Sequence, residues 1–355
     1  MAEEEDILAR EVVIGARLEE NGIALRAKSR AVAALDRLVG SLLDLPTAFF
    51  EGHARKRRLK AEIEERLRRV QFEIAERRLG ELTGSGDQLL LDVLQDKARR
   101  QTNLAGVAVE AIDALQALPK SPNHPSDGTA SFETASDRNS GAGAAGHSGA
   151  GEEAAEIDDD WMNQFARFAE DASSERLQQV WGRVLAGEIN RPGTFSRHTL
   201  RFIAELDQET ARNCEFAASR AIGTFIPKTD EWNSGQGLQI GLDLQRLGLI
   251  EGIGTFGLNQ NFTVGAGGSV GVLGRKYALD LNGEPGTKVS VEAVMLTRMG
   301  REVFSLLDTS DEVAAMEALA DRFAKEGLRS IVLGTLGDAD ARGTAFHPLR
   351  SVWSS

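Results

Sequence analysis

Apolar residues recur at the spacing of an α-helix through most of the first 118 residues. Leu35, Leu38, Leu42 and Leu45 form one such stripe. A second stripe, called here the heptad stripe, has successive apolar residues 4, 4, 3 and 4 positions apart, at Leu59, Ile63, Leu67, Val70 and Ile74. Glu and Arg stand four residues apart on the other faces of this helix, which stabilises a solvated helix surface. Residues 1–118 therefore predict a helical bundle that contains a coiled-coil-like helix.

The last predicted helix of this bundle, at 88–118, is followed by a stretch of very different composition. Residues 119–156 are rich in Ser, Gly, Ala, Pro and Asp, and Phe132 is their one large apolar side chain. Such a segment cannot bury enough apolar surface to offset the loss of chain entropy on folding. We therefore predict a flexible linker at 119–156.

Helical periodicity returns at residue 157. Trp161, Phe165 and Phe168 share one helix face, and Asp158 precedes them at a position where a carboxylate favours the positive end of the helix dipole. A second helix carries its own apolar stripe, formed by Leu177, Val180, Trp181, Val184, Leu185 and Ile189. These patterns predict a small helical domain at 157–222.

After residue 222 the pattern changes to short strands separated by glycine-rich turns. A short helix at 238–247 comes first, and strand-like runs follow at 261–264, 271–273, 276–281 and 288–296. Tyr277, Leu279 and Leu281 alternate with other residues, as in a half-buried strand. The order of helix, strand, hairpin and helix is typical of a winged-helix-like module, which we predict at 223–310, followed by a helix and tail at 311–355. The expected fold class is therefore mainly α, with an α+β part at its C-terminal end.

Composition and charge reduce the number of functional classes to which this chain could belong. The chain has 355 residues, 41 basic and 54 acidic, and a formal net charge of −13. That balance disfavours a protein coated in nucleic acid, although it leaves a local basic patch open. The single cysteine excludes an intramolecular disulfide framework and a cysteine-based zinc cluster. The first residues are acidic, unlike a secretion signal, and we find no apolar run of about 18 residues. We expect a cytoplasmic protein without a transmembrane helix.

Several stretches resemble a known family. They are residues 99–104 with the helix that follows, and residues 159–161, 169–173, 177–189 and 192–200, which together we call the signature segments. These segments resemble the bacterial family named domain of unknown function 2806. That family has no established activity, so the resemblance implies a fold and a bacterial origin rather than a reaction. A weaker likeness in layout to abortive-infection proteins of the alpha type implies, by analogy, a role in stress or phage defence.

Four polar side chains of the signature segments form the candidate functional cluster: Arg183, Glu188, Arg197 and His198. The last two follow a Pro-Gly turn beside a predicted helix N-terminus, a place that suits an anion. The alternative interpretation makes the same residues polar braces of a packed helical core, in which Gly182 and Gly187 let helices approach closely. We recognise no sequence motif of a known enzyme class, so we assign no catalytic residue and expect no cofactor or metal.

The basic run formed by Arg55, Lys56, Arg57, Arg58 and Lys60 has two interpretations. It is a phosphate-binding patch for nucleic acid or anionic lipid, or the solvated face of a coiled-coil-like helix. Our leading hypothesis is a non-enzymatic interaction or scaffold protein that self-associates through the heptad stripe. The alternative is a nucleic-acid-binding regulator that uses the basic run, the winged-helix-like module and Arg275-Lys276. A third hypothesis is an enzyme of unrecognised type built around Arg183, Glu188 and His198.

Overall fold

The computed structural model describes residues 87–117, 156–254, 258–307, 311–324, 326–340 and 343–354, together with a few positions between 30 and 69. The described residues divide into two compact units. The first unit contains residues 87–117 and 156–204, and the second unit contains the described residues from 205 to 354. The basic run, the heptad stripe and residues 119–155 of the predicted linker lie outside the described residues.

Four helices build most of the first unit: α1 (Asp87–Ala117), α2 (Asp159–Ala169), α3 (Glu175–Asn190) and α4 (Arg197–Ala204). The side chain of Asp158 caps α2 by accepting a hydrogen bond from the backbone N–H of Trp161. Ser174 caps α3 in the same way, because its hydroxyl accepts from the backbone N–H of Leu177. The helices predicted from the two apolar stripes between residues 157 and 190 are therefore confirmed.

At Gly182, helix α3 packs against α1 with almost no side chain between the two backbones. A Cβ atom added to Gly182 of α3 would lie 2.5 Å from the Cβ of Glu110 and 2.8 Å from the backbone nitrogen of Ala111 on α1. Glycine at position 182 is therefore what lets the two helices approach. Leu35 and Leu38, which lie on a helical stretch before α1, are also buried. This burial confirms the first two positions of the predicted leucine stripe, whereas Leu42 and Leu45 lie outside the described residues.

The second unit combines helices with two sheets. Its elements in chain order are α5 (Gln208–Ala218), β1 (Phe225–Pro227), α6 (Gly235–Arg246), β2 (Ile250–Glu251), β3 (Leu258–Thr263), β4 (Ser269–Leu273), β5 (Tyr277–Gly283), β6 (Lys288–Leu296), α7 (Arg298–Ser305), α8 (Glu312–Phe323), β7 (Leu328–Asp340) and β8 (Gly343–Ser354). In the first sheet, β6 pairs with β1 on one side and with β2 and β3 on the other. The second sheet has the order β4-β5-β7-β8, and the pairs in both sheets are antiparallel.

One core of the second unit lies between the two sheets and includes α8. It draws on both sheets and on that helix, through buried residues such as Phe262, Val289, Val291, Leu279, Leu281, Leu333, Met316 and Phe323. The rings of Phe262 and Phe323 meet edge to face with their centroids 5.9 Å apart. The strand β6 supplies Val289 and Val291 to this core, and the tail supplies Leu333.

The prediction of a mainly α protein is wrong, because two four-stranded antiparallel sheets occupy the C-terminal part of the chain. The winged-helix-like module expected at 223–310 needs the same correction. Instead of an exposed wing on the first sheet, β4 and β5 pair with each other, and β5 also pairs with β7, so that Leu279 lies opposite Leu333. The alternation around Leu279 indicated a buried strand face, but it carried no information about which distant strand would pair with it.

The tail after residue 310 contains more strand than the sequence predicted. The helix expected there is confirmed as α8, but the short strand expected at 330–333 is part of the long β7–β8 hairpin. This hairpin has three register shifts, and such bulges interrupt the two-residue alternation by which strands are recognised. Within the described ranges, no helix combines the length and the apolar character needed to cross a membrane.

Asp280 on β5 makes the second unit sensitive to pH. Its Oδ1 atom is buried and has no hydrogen-bond partner among the described residues, while Oδ2 accepts from Nδ2 of Asn282 at 3.2 Å. Burial raises the pKa of Asp280. The folded chain therefore holds this proton more tightly than the unfolded chain does. The second unit gains stability as the pH falls through the raised pKa and loses it as the pH rises.

We expect Asp280→Asn to stabilise the protein at pH 7, because the amide removes the buried negative charge. The gain should stay below about 1 kcal/mol, since solvent still partly screens a carboxylate that is only half-buried. It should shrink as the pH is lowered, because a growing fraction of the wild-type carboxyl is then neutral. Urea denaturation at pH 7 and at mildly acidic pH measures both effects, and an equal gain at both pH values would contradict the assignment.

Candidate functional site

The signature segments meet in the first unit at Glu170, which follows α2. Asn103 of α1 is buried and donates from Nδ2 to the carbonyl oxygen of Glu170 at 2.8 Å. Arg100 forms an ion pair with the carboxylate of Glu170 and donates from Nε to Asp96 at 2.7 Å. Hydrogen bonds from Arg99 and Arg100 lower the pKa of Asp96. The segment 99–104 is therefore tied to the end of α2 through both backbone and side-chain contacts.

Gln178, in the first turns of α3, holds the connection between α2 and α3. Its Nε2 atom donates to the carbonyl oxygen of Ala172 at 3.0 Å. Its amide also fills the space beside Gly106 of α1, where an added Cβ would come within 2.6 Å of Cδ and 2.8 Å of Nε2. Gln178 is thus both a hydrogen-bonded brace and a part of the surface on which α1 packs.

Glu188, near the end of α3, organises the turn that leads to α4. It is only 2% exposed. Its Oε1 atom accepts from the backbone N–H of Gly193 at 2.6 Å, and its Oε2 atom accepts from the backbone N–H of Phe195 at 3.0 Å. Hydrogen bonds to a carboxylate are stronger than those between neutral groups. One buried side chain therefore satisfies two backbone donors of the turn.

The aromatic residues of the signature segments close the same turn from the other side. The Nε1 atom of Trp161 donates to the carbonyl oxygen of Phe195 at 2.7 Å. Trp161 stacks on Phe165 with ring centroids 5.2 Å apart, and Phe165 meets Trp181 edge to face at 5.5 Å. A Cβ atom added to Gly187 would lie 2.6 Å from the Phe195 ring, so this glycine makes room for the ring rather than for another helix.

Arg197 neutralises the acidic start of α2. It donates from Nη2 to Asp158 at 2.8 Å and to Asp160 at 3.3 Å. The pKa of Asp158 is lowered by the hydrogen bond from the backbone of Trp161 and by the one from Arg197. Arg197, which was predicted from the sequence to lie at a site suited to an anion, is thus paired with carboxylates of its own chain.

The structure gives the four members of the candidate cluster different surroundings. Glu188 accepts hydrogen bonds from the turn after α3, and Arg197 pairs with residues at the start of α2. His198 is exposed on α4, and Arg183 is half-buried on α3. The contacts of Glu188 and Arg197 are those of structural braces. A binding or catalytic role for the cluster stays a prediction.

Other candidate groups also have structural surroundings. Arg275 donates to the carbonyl oxygens of Ser305 at 2.9 Å and Leu307 at 2.7 Å, at the C-terminal end of α7, where a cation is favoured. Burial raises the pKa of Cys214 to about 12, so its thiol stays protonated at neutral pH. Among the residues that the structure describes, no group of three His, Cys, Asp or Glu side chains could hold a metal ion.

The sequence carried a signal for the role of Glu188 that the prediction did not use. Glu188 lies seven residues after Trp181 and four after Val184, so it occupies a position on the buried stripe of α3. A carboxylate on a buried stripe needs hydrogen-bond donors. The nearest source is the backbone of the turn that follows, where Gly193 and Phe195 supply them.

Comparison with known proteins identifies part of the chain. Residues 142–225 match the family described as Protein of unknown function (DUF2806). No curated protein and no solved structure shows significant similarity to the chain. The matched range includes α2 to α5 and confirms the resemblance carried by the signature segments between 159 and 200, whereas α1 lies before it. The chain therefore carries a segment of the DUF2806 family at residues 142–225.

Proposed function

We propose that this chain is a non-enzymatic interaction protein that self-associates through the heptad stripe. The observation that carries the proposal is the use of the polar side chains of the first unit. Asn103, Trp161, Gln178 and Glu188 each hydrogen-bond to a backbone group of that unit. Side chains that hold turns and helix ends in place support a role for the first unit as a rigid helical platform.

The position of the heptad stripe close to α1 supports a role for this platform in self-association. The stripe ends at Ile74, and α1 begins at Asp87, so 12 residues separate them. Pairing of two heptad stripes would therefore hold two first units close together. A cytoplasmic setting and a role in stress or phage defence belong to the same proposal, which draws them from the composition and from the likeness in layout to abortive-infection proteins.

We expect the full chain to sediment as a dimer or larger assembly, and Leu67→Glu to weaken that association at least about tenfold. The substitution places a charge on the apolar seam, where desolvation without a partner costs more than the ~1.4 kcal/mol that a tenfold change represents. Sedimentation equilibrium of the full chain over a range of concentrations measures this effect.

The matched control is Arg68→Ala, one residue along the same predicted helix but on its solvated face. This variant should associate as the wild type does, because Arg68 lies off the seam and its pairing with Glu64 contributes only about 0.2–0.5 kcal/mol. A wild-type chain that sediments as a monomer at every concentration tested would overturn the proposal.

A further inference from the structure

We propose that α1 is exchanged between two copies of this chain, so that α1 of one copy packs on α3 of the other. The surface concerned is the side of α3 that contains Gln178 and Gly182, which we call the α1 seat. In the exchanged pair, the α1 seat of each copy is filled by α1 of the other copy, which is the same helix that fills the seat within one chain in the structure. This inference rests on the proposed self-association, because exchange requires two copies to be close together.

The α1 seat fits the sequence of α1 closely. Gly182 brings the seat within van der Waals distance of the α1 backbone, and Gly106 of α1 makes room for the Gln178 amide. Asn103 and Arg100 of α1 add polar contacts with Glu170. These contacts involve only α1 and residues 156–204. They are therefore the same whether α1 comes from the same chain or from a second copy.

The spacing along the chain makes the two arrangements close in free energy. Between Ala117 at the end of α1 and Glu156 there are 38 residues, which reach about 125 Å when fully extended. The entropy cost of closing a loop changes slowly with its length. Once two copies are held together, a connection that reaches the seat of the second copy therefore costs little more than one that returns to its own seat. Pairing of the heptad stripes, 12 residues before α1, would place both copies of α1 near both seats.

Size complementation between two full-length chains tests the exchange. One chain carries Gly106→Leu, which overfills its own seat, and the other carries Gln178→Ala, which empties the same space. Exchange brings the enlarged side chain at position 106 of the first chain against the shortened side chain at position 178 of the second. It also brings the unchanged Gly106 against the unchanged Gln178, so both seats are filled.

The two chains are co-expressed with different tags, purified through both tags and compared with each variant alone. We expect a lower urea midpoint for each variant alone, because one seat is overfilled and the other is left with a cavity. We expect the pair to regain the part of that loss that comes from packing. The rest remains, because Gln178→Ala also removes the hydrogen bond to the carbonyl oxygen of Ala172, which Gly106→Leu does not restore.

A charge-reversed pair keeps the test informative if the bulky variant does not fold. Arg100→Glu in one chain and Glu170→Arg in the other disrupt the ion pair within each chain, and exchange restores an attractive pair in both seats. The control is Arg100→Glu co-expressed with itself under two tags, in which exchange restores nothing. Recovery in a complementary pair above this control supports the proposal.

The outcomes separate this inference from the proposed function on which it rests. If the wild-type chain self-associates but neither complementary pair regains stability, the exchange of α1 is wrong and self-association stands. If the wild-type chain is a monomer in sedimentation, both proposals are overturned. If the wild-type chain self-associates and a complementary pair regains stability above its control, both are supported.

Discussion

Replacing Glu188 with alanine is expected to lower the free energy of unfolding by about 1–3 kcal/mol, the cost of a buried hydrogen-bond donor left without its acceptor. The carboxylate accepts hydrogen bonds from the backbone N–H groups of Gly193 and Phe195. Alanine leaves both donors without their acceptor. The N–H of Phe195 is buried and stays unsatisfied, whereas Gly193 is an exposed residue whose N–H can bond to water. Glu188→Gln should recover part of the loss, because its carbonyl oxygen can accept one of the two hydrogen bonds.

Urea denaturation followed by tryptophan fluorescence measures this change, since the buried Trp161 and Trp181 report on the same unit. His198→Ala is the matched control, because His198 is exposed on α4 and its replacement should change stability by no more than about 0.5 kcal/mol. Wild-type stability in Glu188→Ala would show that the carboxylate is not a brace, and this outcome would favour the hypothesis of an enzyme site around Arg183, Glu188 and His198.

Gly182→Ala is expected to destabilise the first unit by about 1–3 kcal/mol, although alanine is the better helix former by about 1 kcal/mol. The added methyl group would lie 2.5 Å from the Cβ of Glu110 and 2.7 Å from its carbonyl carbon. The latter atom is backbone and cannot move aside alone, so α1 as a whole must shift away from α3. The same denaturation experiment measures the loss.

Gly193→Ala separates this steric effect from backbone strain. Gly193 has a φ of +84° and no atom within 4 Å of an added Cβ, so its replacement introduces strain of about 1–2 kcal/mol without a clash. Adding Gly182→Ala to the Gly193→Ala protein should lower its urea midpoint further, because the two substitutions act through different causes. A Gly182→Ala protein as stable as the wild type would contradict the close packing of α1 on α3.

The helices of the signature region could be predicted from the sequence because their signals are local. Trp161 and Phe165 share a face at helical spacing, and capping residues stand before α2 and α3. The second sheet could not be predicted in the same way, because β5 pairs with β7 and Leu279 lies opposite Leu333, more than fifty residues away. A strand pattern shows which side chains are buried but does not identify the distant strand that buries them.

The candidate site was predicted in part. The approach of helices at Gly182 was expected and is confirmed, whereas Gly187 accommodates the Phe195 ring. Glu188 and Arg197 were grouped from the sequence because both are polar residues of the signature segments. Glu188 contacts backbone N–H groups of the following turn, whereas Arg197 contacts the start of α2. These contacts depend on the folded arrangement of the helices and could not be predicted from positions along the chain.

The pairing of β5 with β7 has a consequence for the folding of the chain during its synthesis. The 44 residues between Gly283 and Leu328 must leave the ribosome before β7 can emerge and pair with β5. Until then, β5 has one edge of unpaired N–H and C=O groups, and Leu279 and Leu281 lack their cross-strand neighbours Leu333 and Ile331. Such an edge can pair with other nascent chains. We therefore expect the second unit to be most prone to incorrect strand pairing during this interval of translation.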